Sequence, residues 1–300
     1  YIGKDGKNQG TAPAFSDSDV RGASATLRYE LTPALTLKSI SAWRDLDAEF
    51  ARDGDDSPHR ISQFHDDLEQ EQFTQELHLL GAHERLNWIV GLYYFTEEGE
   101  NTNILDFTVS NFRSGGDFEN ESWAAFAQAT WDITGTLHLT LGARQTEEEK
   151  SFRPDQVIFQ NYFAGISQVV PPGNPLAALD APFLQAGERI LPYLWKEIDS
   201  SELTPMANLS WDATEDLMLY ASYVEGFKSG GYDNRSNAHP DPAVVVPGTS
   251  PNLIGAWEFD KEEASSFEAG FKATLADGAA ELNGALFYTE YDDLQTSVFD

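Results

Sequence analysis

A period-two alternation of apolar and polar residues, sustained over long stretches and repeated down the chain, constrains this sequence more than any other feature. Leu137, Leu139, Leu141 and Ala143 occupy one set of alternate positions, and His138, Thr140, Gly142 and Arg144 the other. Phe267, Ala269, Phe271, Ala273 and Leu275 alternate in the same way with Ser266, Glu268, Gly270, Lys272 and Thr274. Ala23, Ala25, Leu27 and Tyr29 do so with Ser24, Thr26 and Arg28. Successive side chains of a strand point to opposite faces, so these are strands with one apolar and one polar face. Ten such segments fall near residues 20–30, 35–49, 70–80, 86–98, 121–131, 137–150, 200–211, 217–230, 263–275 and 279–294.

The connections alternate in length. Short ones lie at Glu30–Ala34, Gly81–Arg85, Asp132–Thr136, Asp212–Asp216 and Ala276–Gly278, and long ones at about 50–69, 99–120, 151–199 and 231–262. Transmembrane β-barrels alternate short periplasmic turns with longer extracellular loops. An internal repeat marks the short turns: Tyr29-Glu-Leu-Thr-Pro-Ala-Leu35, Trp131-Asp-Ile-Thr-Gly-Thr-Leu137 and Trp211-Asp-Ala-Thr-Glu-Asp-Leu217 share aromatic, acid, x, Thr, x, x, Leu. Equivalent turns at one membrane interface, with aromatics forming a girdle, produce such a repeat. Trp123 and Trp131 share a face eight residues apart. At ~3.3 Å per residue and ~40° tilt they span ~20 Å of the ~25 Å apolar band. A soluble β-sandwich is disfavoured, because strands of eleven to fourteen residues exceed its usual five or six.

Composition closes off several classes. Fifty acidic residues against 19 basic ones give a net charge of −31, which excludes a general nucleic-acid binder. Cysteine is absent, which removes disulfides and thiolate chemistry. No stretch approaches the ~20 apolar residues of a helical membrane span. The chain starts at Tyr1 without a signal peptide and reads as an internal part of a longer protein.

The stretch TPMANLSWDATEDLMLYASYVEGFKSGGY, Thr204 to Tyr232, resembles TonB-dependent outer-membrane receptors, especially the ferric-siderophore type of sphingomonads and marine bacteria. FTQELHLLG (Phe73 to Gly81) with LNWIVGLYYFTEE (Leu86 to Glu98) resembles one hairpin of that family. SWAAFAQATWDIT with LHLTLGARQTEEEK resembles the next, and SSFEAGFKATL with LNGALFYTEYDDLQ the last. The resemblance implies an all-β, antiparallel, up-and-down transmembrane barrel segment: about ten strands of a barrel of ~22. Residues 1–300 are then a partial barrel domain without plug, TonB box, signal peptide or C-terminal strands. It also implies a Gram-negative outer membrane, uptake of a ferric siderophore, and no enzymatic activity, resident metal or cofactor. The implied partners are a ferric chelate, outer-membrane lipid and lipopolysaccharide, and the TonB complex acting through the plug. Other readings are a receptor for a vitamin, haem or carbohydrate, a ten-stranded outer-membrane hydrolase, and a soluble adhesin.

Residues that carry chemistry are few. Arg44, Arg144 and Lys228 fall on the polar, lumen-side face toward the loop ends of their strands, where cations meet an anionic chelate. Tyr93 and Phe95 share that face and offer aromatic grip, so these five are the candidate substrate contacts. Between Asp45 and Glu69 lie nine acids (Asp45, Asp47, Glu49, Asp53, Asp55, Asp56, Asp66, Asp67 and Glu69), read as a solvated loop. Its Asp53-Gly-Asp55-Asp56 run lacks the spacing of a dedicated Ca²⁺ loop. Such a loop makes the mouth negative and favours cationic or neutral, hydroxamate-like chelates. His59 and His65 place no pair on one face for haem, and Phe152-Arg153-Pro154 and Pro251-Asn252-Leu253 only faintly echo haem-receptor motifs. A water-activating His65 with Asp66 and Asp67 is the best hydrolase candidate.

Overall fold

The computed structural model describes residues 10–162, 186–189, 191–233 and 257–296; His239 and Pro251-Asn252-Leu253 lie outside them. Among the described residues ten long strands form one antiparallel meander. They are β1 (Phe15–Thr32), β2 (Leu35–Asp53), β3 (Ser62–His83), β4 (Leu86–Phe107), β5 (Ser110–Asp132), β6 (Leu137–Pro154), β8 (Lys196–Thr214), β9 (Leu217–Lys228), β12 (Glu262–Leu275) and β13 (Ala280–Asp292). Short β7 (Val157–Asn161) pairs with β5, and β10 (Gly231–Asp233) with β11 (Trp257–Phe259). Among the described residues β1 pairs only with β2 and β13 only with β12, so the wall they form is open. A closed ten-stranded hydrolase barrel is thereby overturned.

Register carries the alternation from strand to strand, with shifts between the long strands only beside the short turns, at Glu30/Thr32 and Asp212/Thr214. Trp43 stands opposite Phe73, Tyr94 opposite Trp123, and Trp131 opposite both Leu86 and Leu139. One face therefore runs Leu77, Val90, Ala127, Leu141 and Leu209 between two aromatic rows. Trp43, Phe73, Tyr94 and Trp123 form the upper row, and Trp131 and Trp211 belong to the lower. Apolar side chains stay in the open here: Trp123 is 49% exposed, Leu141 52% and Phe267 57%. On the opposite face Ala124 is 1% and Thr146 5% exposed. A face that is apolar and uncovered, bounded by aromatics, is the lipid face of a barrel; the polar, crowded face is the lumen.

The repeat at the short turns has a physical cause in its threonine. The hydroxyl of Thr32 accepts the backbone N–H of Ala34 (3.2 Å), that of Thr134 the N–H of Thr136 (3.2 Å), and that of Thr214 the N–H of Asp216 (3.3 Å). Each closes the same side-chain-capped turn.

The strands outrun their sequence pattern at the extracellular end. The stretch 99–120, expected as a long loop, is continuous β4 and β5 joined through Thr108 and Val109 alone. Most of 50–69 likewise belongs to β2 and β3. Above the upper aromatic row the outer face no longer meets lipid and carries acids instead, so alternation stops while backbone pairing continues. Alternation there reports contact with lipid rather than strand length.

Candidate functional site

The inner wall gathers its functional groups by register across three strands. Gly91 on β4 stands opposite Phe126 on β5, and Phe126 opposite Arg144 on β6. A side chain at Gly91 would collide with the Phe126 ring, so the glycine lets that ring lie across the neighbouring strand. The Arg144 guanidinium then sits 5.0 Å from the centre of Tyr93 and 5.9 Å from that of Phe126. Its Nε donates to the Thr146 hydroxyl at 3.1 Å. His78 meets Phe126 edge-on at 5.5 Å, with Nε2 2.8 Å from a Glu76 carboxylate oxygen but outside hydrogen-bonding geometry. This cation–aromatic cluster is a surface on which an organic ligand can stack.

Of the five sequence candidates, the structure brings only Tyr93 and Arg144 into contact. Phe95 stands on the same face between Thr74 and Ser122. Arg44 lies opposite Gln72 on the β2–β3 side, and Lys228 opposite Glu262 on β9. Arg144 lies below the row of Trp123, which faces Glu147, and so sits at membrane depth rather than at the loop end. Phe126 and His78 complete the cluster and were invisible as partners, because their approach depends on pairing between distant segments.

Further up the inner wall, Lys150 Nζ donates to the Ser229 hydroxyl at 2.5 Å. Tyr232 stacks on Phe152 at 5.9 Å beside buried Leu191. Burial, reinforced by the negative charges of Glu258, Glu197 and Asp199, pushes the Tyr232 phenol up to about 12.

The acids are placed differently from the expectation of one loop. Only Asp55 and Asp56 lie on the β2–β3 connection. Asp45, Asp47 and Glu49 on β2 pair with Glu71, Glu69 and Asp67 on β3, all facing outward above the upper aromatic row. Glu98 and Glu100 on β4 and Asp117, Glu119 and Glu121 on β5 continue this belt. Tyr94 donates its hydroxyl to Glu121 at 3.1 Å, as an interfacial tyrosine reaches from apolar band to polar zone. Glu149, Glu197 and Asp199 bring carboxylate oxygens within 4.8 Å of one another on this outer belt.

The Asp53 and Asp55 carboxylates are occupied by backbone donors. Asp53 accepts from Asp55 (3.1 Å), Asp56 (2.7 Å), Thr11 (2.8 Å) and Ala12 (3.2 Å). Asp55 accepts from Ser57 (3.1 Å) and Ser62 (2.9 Å). Desolvation pulls the Asp53 carboxyl upward, but these N–H donors prevail and hold it below the ordinary range. Of the His65–Asp66–Asp67 set, alternation turns Asp66 inward and leaves His65 and Asp67 on the outer face, where His65 Nε2 lies 3.2 Å from a Glu49 carboxylate oxygen and its ring meets Phe15 edge-on. His59 is engaged through its backbone with Ser57.

The profile of the family described as TonB dependent receptor-like, beta-barrel matches residues 1–300. The chain belongs to this family. It is an outer-membrane β-barrel wall of the Gram-negative type, and its family consists of transport receptors rather than enzymes. The ferric-pyoverdine 358 receptor of Pseudomonas putida is 24% identical over 193 residues, which is 64% of this chain and 16% of that protein. The ferric yersiniabactin uptake receptor FyuA of Yersinia pestis superposes with a TM-score of 0.69 at 19% identity, covering 94% of this chain and 37% of that one. The copper transporter OprC superposes with a TM-score of 0.60 at 10% identity, covering 93% and 39%. This TonB-dependent receptor wall thus spans less than two-fifths of the length of these relatives, and the structural likenesses concern the fold.

Proposed function

We propose that this wall belongs to a receptor that takes up a ferric siderophore across the outer membrane, with energy supplied through TonB. The observation that carries the reading is a match to the receptor-barrel family along the whole chain, together with a ferric-pyoverdine receptor among its relatives. The inner wall supports it chemically. Arg144, Tyr93, Phe95 and Phe126 present cation and aromatic surface to the lumen, with Arg44 and Lys228 as further cations along the same face. Transport of this kind needs selective, reversible contact and no covalent step. The TonB complex acts through a plug housed in the lumen, and outer-leaflet lipid with lipopolysaccharide surrounds the apolar band.

The placement of the acids refines the cargo expectation. Much of the negative charge lies on the outer wall, so steering by the mouth is weaker than a purely acidic loop would give. The choice between hydroxamate-like and catecholate chelates then rests on the inner wall.

Uptake of ⁵⁵Fe-labelled siderophores by an iron-starved host lacking its own receptors, with and without the full-length protein, tests the proposal. TonB-dependent accumulation of at least one ferric chelate is expected. Accumulation of copper or a vitamin, with none of iron, would sink it.

A further inference from the structure

The inner wall pairs rings with a cation at two heights. Phe126 on β5 stands opposite Arg144 on β6, and eight residues further up both strands Phe118 stands opposite Phe152, with Lys150 opposite Asn120 beside them. At ~3.3 Å per residue and ~40° tilt the second station lies about 20 Å above the first. The chain itself occupies this upper station. The Tyr232 ring lies on Phe152 at 5.9 Å with 24° between the planes, and Tyr232 and Leu191 together leave Phe152 only 5% exposed. The Ser229 hydroxyl accepts from the Lys150 ammonium at 2.5 Å, with a Glu148 carboxylate oxygen 3.4 Å from the same nitrogen.

The occupant is a strap rather than part of the wall. β10 and β11 pair with each other as a two-stranded sheet, and among the described residues no backbone ladder joins them to the ten long strands. Side-chain contacts hold the strap down: the Tyr232 stack, the Lys150–Ser229 bond and a Lys196–Glu258 ion pair of 3.0 Å. Gly230 lets it lie close, since a Cβ there would fall 2.5 Å from the Phe259 carbonyl oxygen and 3.1 Å from the Ile198 side chain on β8. At the base the Gln295 amide donates to the carbonyls of Ser229 (3.1 Å) and Asp260 (2.8 Å), which ties the two legs together. The base is anchored, and the contacts beyond it are of a kind that a ligand can replace.

One atom of the occupant fits badly. The Tyr232 hydroxyl is buried and has no hydrogen-bond partner among the described residues. A buried hydroxyl without a partner weakens the docked state. A ring whose oxygens are already bound to iron(III) fills the same space without that penalty, because its oxygens bring their partner with them. The negative charge of such a chelate suits Lys150, and undocking also carries the Glu258 carboxylate away from Lys196.

We propose that Phe118, Lys150 and Phe152 form an upper binding station for a catecholate or phenolate chelate of iron, and that β10–β11 occupies this station until the chelate displaces it. The proposal rests on the siderophore reading and narrows its cargo to chelates with aromatic oxygen ligands. Tyr232 and Ser229 stand in for the ring and the oxygen of the cargo. Displacing them opens the inner wall above the Arg144–Tyr93–Phe126 cluster.

The test uses the full-length receptor in mild detergent, with ferric tris(2,3-dihydroxybenzoate) and ferric tris(acetohydroxamate) as probes. Hydrogen–deuterium exchange at residues 230–233 and 257–259 reads docking of the strap. In the unaltered protein the catecholate is expected to speed exchange there about fivefold or more, and the hydroxamate to leave it unchanged. Tyr232→Phe removes the stranded hydroxyl and keeps the ring, so it is expected to slow strap exchange in the free receptor and to weaken catecholate binding about fivefold. Strap exchange that the catecholate leaves unchanged or slows overturns the proposal, as does a Tyr232→Phe variant that binds the catecholate as tightly as wild type. Iron uptake measured in parallel separates the two readings. Uptake of hydroxamate iron alone, with the strap undisturbed, overturns this proposal and leaves the siderophore reading standing. Release of the strap by the catecholate without uptake of any ferric chelate supports the station and overturns the siderophore reading.

Discussion

Arg144 of β6 and Tyr93 of β4 meet on the inner wall, guanidinium over ring at 5.0 Å, although their strands are not paired. β5 stands between β4 and β6, and the small Ala124, opposite both Tyr93 and Thr146, leaves the space through which they meet. A cation over an aromatic face contributes about 0.5–2 kcal/mol, more when water is excluded.

Removing that pairing gives the first expectation. Tyr93→Ala frees Arg144, whereas Tyr93→Leu keeps bulk without a π face. If the pair contacts cargo, both variants weaken ferric-chelate binding by the full-length receptor, and Tyr93→Phe leaves it near wild type. Equilibrium binding of radiolabelled chelate to whole cells checks this. Equal affinity in Tyr93→Ala would assign the pair to the wall alone.

The apolar band makes a depth-dependent prediction. Leu139 shares the lower aromatic row with Trp131, while Ala143 and Ala127 stand opposite each other midway between Trp131 and Trp123. Ala143→Arg therefore costs about 2–4 kcal/mol, and Leu139→Arg only about 0–1, because the lipid penalty falls away toward the interface. Thr140→Arg, facing the lumen, costs less than Ala143→Arg. Urea titrations of the barrel folding into lipid vesicles measure all three. A larger penalty at Leu139 than at Ala143 would shift the band toward the periplasm.

The transmembrane architecture was legible because lipid imposes a face-by-face rule on residues such as Leu139, Leu141 and Phe267. The ten strands and their short turns follow from that rule. The extensions of β4 and β5 through Glu100 and Asp117 were not legible, since an outer face that meets water instead of lipid loses its apolar period. The cluster at Arg144 was half legible. Alternation put Tyr93 and Arg144 on one face, but their contact depends on a register that joins residues about fifty positions apart. His78 and Phe126 needed the same information, and the split of the acids between outer belt and turn needed the true strand ends.

Asp53 organises the extracellular β2–β3 turn. Its oxygens accept four backbone N–H groups from two segments, and those donors hold its carboxyl below the ordinary value despite desolvation. A depressed carboxyl contributes stability that is present above its unfolded value and lost as pH falls through the folded one. Asp53→Ala is expected to speed hydrogen exchange at the Asp55 and Asp56 amides severalfold, while Leu141 and its neighbours in the band keep their protection. Unchanged exchange at those two amides would remove Asp53 from this role.

His138 gives the pH-dependent prediction. It lies on the periplasmic side of the Trp131–Leu139 row, where the acids of two repeat units converge on it. Nδ1 is 2.5 Å from Asp132 and Nε2 is 3.2 Å from Asp212. A carboxylate only accepts, so two carboxylates on one imidazole are both satisfied when each ring nitrogen carries a proton. The hydrogen bond to Asp132 leads, desolvation opposes, and the bond to Asp212 adds, so the imidazole is raised above its ordinary 6.5. A raised histidine contributes stability that is complete below the unfolded value and disappears as pH climbs through the folded one. The clasp joins the β5–β6 turn to the β8–β9 turn, so its loss loosens two periplasmic turns together. Wild type should exceed His138→Gln in urea midpoint by the largest margin near pH ~6, with the margin shrinking toward pH ~9 as the imidazolium discharges. The Asp212→Asn variant should flatten part of that dependence, because one of the two acceptors no longer carries charge. A margin that stays constant or grows with pH would mean that the imidazole bridges the turns in its neutral form.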